Sequence, residues 1–347
     1  MSQVVNPRRL PPGDRVHDRR TFIMAMAGSL LAAPLVAVAQ PAGTGPRMGY
    51  LSSGRRPAAP DDVSAESVRV IRESLGALGY VEGQNLGIEY RFAEDRSERL
   101  PALAADLVAL QVDLILAIGP ASVRAAKDAT STIPIAAFDF ESDPVGAGFA
   151  ASLARPAGNI TGIFLDQAEL VGKWLDLIKE AVPSLSRVAV LREAGAPVLQ
   201  VRAIETGARA LGLKLQELEV REPREFAGAF AAATRGHAQA VVILSSPTTA
   251  RSGAQLSSLA IARRLPTISL FRENVTAGCL MSYGPSLTTE RQHVASIAAR
   301  ILKGVKPGDL PIERSTRLEL VINLKTAKAL SLTIPQSLLQ RADQVIE

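Results

Sequence analysis

Few side chains in this sequence can make or break bonds, and they are not spaced for it. Of three histidines, His17 lies among arginines near the start, while His237 and His293 fall on the surface of loop or helical segments. No Ser–His–Asp or Cys–His spacing and no G-x-S-x-G turn occurs, nor any His, Cys and carboxylate cluster with metal-ligand spacing. The single cysteine, Cys279, sits in the apolar stretch TAGCLMSYG and has no partner for an intramolecular disulfide, so a buried, unpaired thiol is expected. What recurs is a series of short turns, each closing an apolar run: Leu51-Ser52-Ser53, Gly119 to Ser122, Asp139 to Asp143, Arg192-Glu193, Ser245-Ser246 and Phe271-Arg272-Glu273. Hydroxyls and backbone N–H groups at helix starts suit a carboxylate or another anion. Rings at Phe140, Phe164, Phe271 and Tyr283 offer flat apolar walls. The expected ligand-contacting set is Ser53, Ser122, Asp139, Phe140, Phe164, Arg192, Ser245, Ser246, Phe271, Glu273 and Tyr283, with no catalytic group, metal or cofactor.

Such turns act together only if the fold gathers them. From Arg47, short β-rich runs alternate with stretches of helical period. RMGYLSSG, NLGIEYRFA, VDLILAIG and IPIAAFDF read as strands. Between them lie helices at 63–78, 100–111 and 122–130. The second half repeats the order, with strands RVAVLRE, KLQELEV, AQAVVILSS and PTISLF, and helices at 198–211, 223–234 and 248–264. VDLILAIGPASV even matches AVVILSSPTTA position by position in kind. Alternating strands and helices imply parallel sheets, whose ligands gather at the strands' C-terminal ends. Two such units face to face would make a cleft. The tail supplies a further amphipathic helix, LTTERQHVASIAARILKG, then a strand and short helix in RLELVINLKTAKALSL. Giving one piece to each lobe makes the chain cross three times, near 160–164, 280–284 and 314–318, as a hinge would. The lobes expected are 46–162 with 284–314, and 163–283 with 315–347.

Two motifs have other readings. GAGFAA, Gly146 to Ala151, matches a dinucleotide fingerprint. It follows the fourth strand rather than the first, and Pro144 interrupts the strand-to-helix turn, so Gly146 and Gly148 are expected to let a helix pack closely on its sheet. At the start, arginines up to Arg19-Arg20 precede an uncharged run that closes on Ala37-Val38-Ala39. That order is a secretory signal over residues 1–39 with a mature start near Gln40; the arginine pair resembles a twin-arginine signal, while Asp18 in place of the usual Ser or Thr leaves the ordinary export route open. The net charge of +5 owes much to those arginines, and no basic stripe carries interleaved aromatics, so nucleic acid is not an expected partner.

The stretches GYLSSG, LGYVEGQNLGIEYRFAEDRSERLPALAADLV, SDPVGAGFAASLARPAGNITGI, GCLMSYGP and LPIERSTRLELVINLKTAKALSLTIP resemble substrate-binding proteins of ABC transporters of the tryptophan/tyrosine type. The resemblance covers nearly all of the chain after the leader. It implies a type I periplasmic-binding fold, α/β in two Rossmann-like lobes with parallel sheets and a three-segment hinge. It also implies a periplasmic, monomeric, non-catalytic protein that hands a small solute to a membrane permease. By position, Ser122 and the Asp139–Ser142 turn would hold a ligand carboxylate and Glu273 would face an ammonium; the sequence departs from the family pattern at Ser142 and Asn274. Two other classes use similar lobes: the sensor domain of a regulator or receptor, which in its cytoplasmic form would carry a helix-turn-helix where this chain has its leader, and a nucleotide-dependent enzyme such as a glycosyl transferase.

Overall fold

The computed structural model describes residues 45–58, 63–165, 167–194, 198–315 and 317–347; the expected signal segment lies outside them. The elements run β1 (Arg47–Ser52), α1 (Val63–Ala77), β2 (Gly87–Phe92), α2 (Leu100–Ala109), β3 (Leu114–Ile118), α3 (Pro120–Ala129), β4 (Ile135–Asp139) and β5 (Ile160–Phe164). They continue with α4 (Gln167–Ala181), β6 (Arg187–Glu193), α5 (Val198–Ala210), β7 (Lys214–Val220), α6 (Phe226–Arg235), β8 (Ala240–Ile243), α7 (Pro247–Arg251), α8 (Gly253–Ala262), β9 (Thr267–Ser269), α9 (Arg272–Thr276) and β10 (Met281–Pro285). The tail holds α10 (Leu287–Leu302), β11 (Glu313–Arg314), β12 (Leu318–Asn323), α11 (Leu324–Ala329), α12 (Gln336–Leu339) and β13 (Gln344–Ile346).

The strands form two sheets, ordered β11-β5-β4-β3-β1-β2 and β13-β12-β10-β9-β8-β6-β7. Without the tail strands the orders are the same, so the duplication in the sequence is a duplication of topology. Helices α1 and α10 cover one face of the first sheet, and α2 and α3 the other. Leu51, Ala117 and Ala137 face α2 and α3, whereas Met48, Tyr50, Leu116 and Ala136 face the opposite side, the period-2 alternation of strands buried on both faces. Helices α4 and α5 cover one face of the second sheet, whose other face packs Phe226, Phe230, Leu256 and Cys279.

Pairing is parallel throughout except between β10 and β12, where Pro285 lies beside Leu318 and Met281 beside Ile322. The chain leaves the second sheet at the end of β10 and re-enters it from β11 of the first sheet three residues before β12. Exit and entry share one edge of the lobe, so β12 must run backwards along β10. The chain passes between the sheets after β5, after β10 and after β11.

One helix is added to the expected order and two local expectations change. Helix α4, with Leu170, Val171, Trp174, Ile178 and Ala181 buried at helical spacing, places Trp174 at the centre of the core, its indole N–H donating to the Tyr283 carbonyl at 2.7 Å. The helix expected over 248–264 is two helices broken at Ser252, whose hydroxyl donates to the Thr248 carbonyl at 2.8 Å. The GAGFAA segment is no helix start: residues 144–148 are consecutive turns, and Gly148 has φ +71° with open space where a Cβ would stand. The close helix–sheet packing expected of Gly146 and Gly148 is therefore absent, and Gly148 serves a left-handed turn.

Candidate functional site

The C-terminal ends of β1, β3 and β4 face those of β8 and β9 across a cavity of about 120 Å³. The first lobe contributes Tyr50, Ser52, Ser53, Gly54, Ser67, Phe92, Ile118, Gly119, Phe138, Phe140, Glu141, Leu287 and Arg291; the second contributes Ser246, Pro247, Ala250, Arg251 and Phe271. The matching sequences GPASV and SPTTA sit opposite each other, as the openings of α3 and α7. Gly119 closes β3 at φ +83°, and a Cβ there would stand 3.4 Å from Cγ of Pro247. The backbone conformation calls for glycine at this point, and a Cβ would come into ordinary contact with the second lobe. Ser246 caps α7: its Oγ accepts the Thr249 N–H at 3.1 Å, and its own N–H donates to Thr249 Oγ1 at 2.9 Å, satisfying helix-end groups that would otherwise be orphaned.

The turn after β4 carries the most charge. Asp139 Oδ1 accepts the N–H groups of Glu141 at 2.9 Å and Ser142 at 3.0 Å, which folds the turn and sends the Glu141 side chain into the cavity. Three second-lobe donors hold this turn: Ser245 Oγ to Glu141 Oε1 at 2.9 Å, Gln200 Nε2 to the Glu141 carbonyl at 3.3 Å, and Gln167 Nε2 to the Phe140 carbonyl at 2.7 Å. Burial, then the neighbouring Asp139 charge, push the Glu141 carboxyl up to about 8. Burial raises Asp139 as well, against the hydrogen bonds that favour its charged form. Phe140 bridges the lobes, 4.7 Å from Phe138 and 5.8 Å from Phe271 between ring centres. At the rim, Arg251 of α7 pairs with Asp95 of the first lobe, which also takes Arg55 at 2.7 Å.

Arg291 enters from the tail helix α10. It is 5% exposed, and its Nε and Nη1 have no hydrogen-bond partner among the described residues. Burial lowers its pKa, while Glu273, Tyr50 and Glu66 hold the charge in place. Its position was readable in one respect: Leu287, Arg291, Val294, Ala298 and Ile301 make one apolar stripe at helical spacing, with a single guanidinium in it. Glu141 gave no comparable signal, since its burial depends on the second lobe.

Of the residues expected to contact ligand, Ser53, Phe140, Ser246 and Phe271 line the cavity. Ser245 stands behind it, donating to Glu141. Asp139 supports the turn from below, with Oδ2 buried and unpartnered among the described residues. Ser122 is fully buried in the first turn of α3, and Gly119 reaches the cavity in its place. Phe164 packs against Phe149 in the α2–α3 core, its ring 6.3 Å away. Arg192 is held at the sheet edge by Glu217 at 2.9 Å and Glu219 at 2.8 Å. Glu273 lies in the first turn of α9 behind Phe271, its pKa raised by burial and opposed by the Arg291 charge. Tyr283 is half-buried on β10, engaged through its carbonyl with Trp174. The cleft thus offers aromatic walls, one buried cation and one half-buried acid, fixed from two lobes. Among the described residues no group of His, Cys, Asp and Glu is arranged to hold a metal.

A family model described as ABC transporter substrate binding protein matches residues 61–346. A tyrosine-binding protein of Clostridioides difficile is 26% identical over 262 residues, 75% of each chain. The crystal structure of an ABC domain in complex with L-Trp from Streptococcus pneumonia superposes with a TM-score of 0.78 at 25% identity, covering 87% of this chain and all of that one. A conserved domain protein from Vibrio cholerae gives 0.77, also at 25% identity, over 86% of this chain and 99% of the other. The two parallel-dominated sheets joined by three passages are the type I periplasmic-binding architecture.

Proposed function

We propose, for a chain that belongs to the ABC transporter substrate-binding protein family, that it captures a small amino-acid-like carboxylate between its lobes and delivers it to a membrane permease. The observation that carries this reading is the lining of the interlobe cavity, which combines aromatic rings with the buried Arg291 and the half-buried Glu141. A zwitterion with an apolar body satisfies such a lining: its anionic group answers the guanidinium, its ammonium answers the acid, and its side chain lies on the rings. The tyrosine and tryptophan in the descriptions of the similar proteins belong to the same chemical class. Capture and release need no bond-making step.

Residues 1–39 direct export and are cleaved near Gln40, leaving a monomer that works outside the cytoplasm. No described helix is long and apolar enough to cross a membrane. Denaturing the purified protein and identifying the released small molecules by mass spectrometry tests the reading. A solute bearing both an amine and a carboxylate is expected. A released sugar, polyol or nucleotide would overturn it.

A further inference from the structure

We propose that Arg291 is the anion anchor of the cleft, the group on which the solute's carboxylate seats and from which its selectivity for acids over neutral analogues derives. The inference rests on the solute-binding reading above and adds a residue and a role to it. An arginine removed from water loses much solvation free energy, and proteins recover it by pairing the charge or hydrogen-bonding all its donors. Arg291 is 5% exposed, yet neither Nε nor Nη1 is used within the described residues. The charges around it are Glu273 from α9, Glu66 from α1 and the Tyr50 phenol from β1. None of them makes a hydrogen bond to it, and Oε2 of Glu273 is itself buried and unpartnered among the described residues. A core built for stability would have let these opposite charges meet or replaced them with apolar groups. Arg291 instead stands on the cavity wall beside Ser67 and Tyr50, while the adjacent buried acid of α10, Glu290, accepts from the Ser315 hydroxyl at 2.7 Å.

Guanidinium donors fixed in a buried wall match the two oxygens of a carboxylate. The position also ties recognition to closure. Helix α10 packs on the first sheet, whereas Glu273 and Phe271 come from the second lobe. A carboxylate on Arg291 lies where the second lobe completes the cavity.

The test compares wild type, Arg291→Met, Arg291→Lys and the double variant Arg291→Met/Glu273→Gln, first after exhaustive dialysis and then with L-tyrosine, L-tryptophan, L-leucine and L-glutamate, each against its α-carboxamide. Without solute, the double variant Arg291→Met/Glu273→Gln should unfold at the same temperature as wild type or higher, because both members of a buried charge pair that makes no hydrogen bond are then removed together. A clearly lower unfolding temperature would make Arg291 a structural residue and overturn the proposal. This comparison needs no ligand, so it decides even where no probe binds. With probes, an amino acid that binds wild type should lose roughly tenfold to a hundredfold in affinity in Arg291→Met, the usual loss for a hydrogen bond to a charged group. Arg291→Lys should fall between, and the carboxamide should bind wild type weakly. Equal binding of an acid and its carboxamide, or unchanged affinity in Arg291→Met, would refute the anchor while leaving capture of an amino acid intact. Stabilisation of wild type by a neutral polyol such as myo-inositol, with no response to any acid, would instead overturn the assigned solute class.

Discussion

Replacing Glu141 by glutamine isolates a strongly perturbed acid of the cleft. The half-buried carboxyl lies between the lobes, faces Asp139 on its own turn and Glu193 from the second lobe, and has the Ser245 hydroxyl as hydrogen-bond donor. Its pKa rises from the ordinary 4.5 to about 8, first because burial disfavours the charged form and then because Asp139 repels it. A carboxyl raised in the folded state binds a proton there that the unfolded chain has already released. Its contribution to stability is therefore fully present below pH 4.5 and is lost as pH rises through 8. At about 1.36 kcal/mol per pH unit, the loss between pH 5 and 8 has a ceiling of roughly 4 kcal/mol. Sharing of the charge with Asp139 and access of water reduce this to about 1–2 kcal/mol. Glutamine keeps the size and an acceptor for Ser245 but cannot titrate. Urea unfolding of wild type and Glu141→Gln at pH 5, 6, 7 and 8 should therefore show a gap that widens with pH in favour of glutamine. A gap independent of pH would refute the argument, since Glu141 would then ionise alike in the folded and unfolded chains.

Cys279 is fully buried in the outer core of the second lobe, with its thiol pushed up to about 11 by burial, so it should ignore thiol reagents in the native protein and react on unfolding. Rapid native labelling counts against that core. Gly119→Ala places a Cβ on a backbone at φ +83°, a region side-chain-bearing residues rarely adopt, so it should cost about 1–2 kcal/mol in urea unfolding; an unchanged midpoint would show that this turn does not need glycine. Trp174→Phe leaves the Tyr283 carbonyl without its indole donor and should destabilise by roughly 1–3 kcal/mol in urea. Since Trp174 is the sole tryptophan, native emission should be blue-shifted and closed to iodide, and ready quenching would contradict its burial.

The alternation of strand and helix, its repetition in two halves and the burial of Cys279 are local properties, written in residue type and spacing, and the sequence by itself determined them. It also located Ser53, Phe140, Ser246 and Phe271, because the C-terminal ends of parallel strands must converge wherever two such sheets face each other. Which side of a sheet each residue serves was decided by tertiary structure. Asp139 and Phe164 are register partners on adjacent strands, so they share a face, and it is the α2–α3 face that packs Phe164. Arg192 was drawn to Glu217 and Glu219, acids on a neighbouring strand whose register no local pattern states. Arg291 and Glu141 became cleft residues only when α10 returned from the tail to the first sheet and Ser245 closed over the β4 turn, 104 positions away in sequence. Periodicity records which way a side chain points from its own backbone; the charge it meets there depends on chain that arrives from far along the sequence.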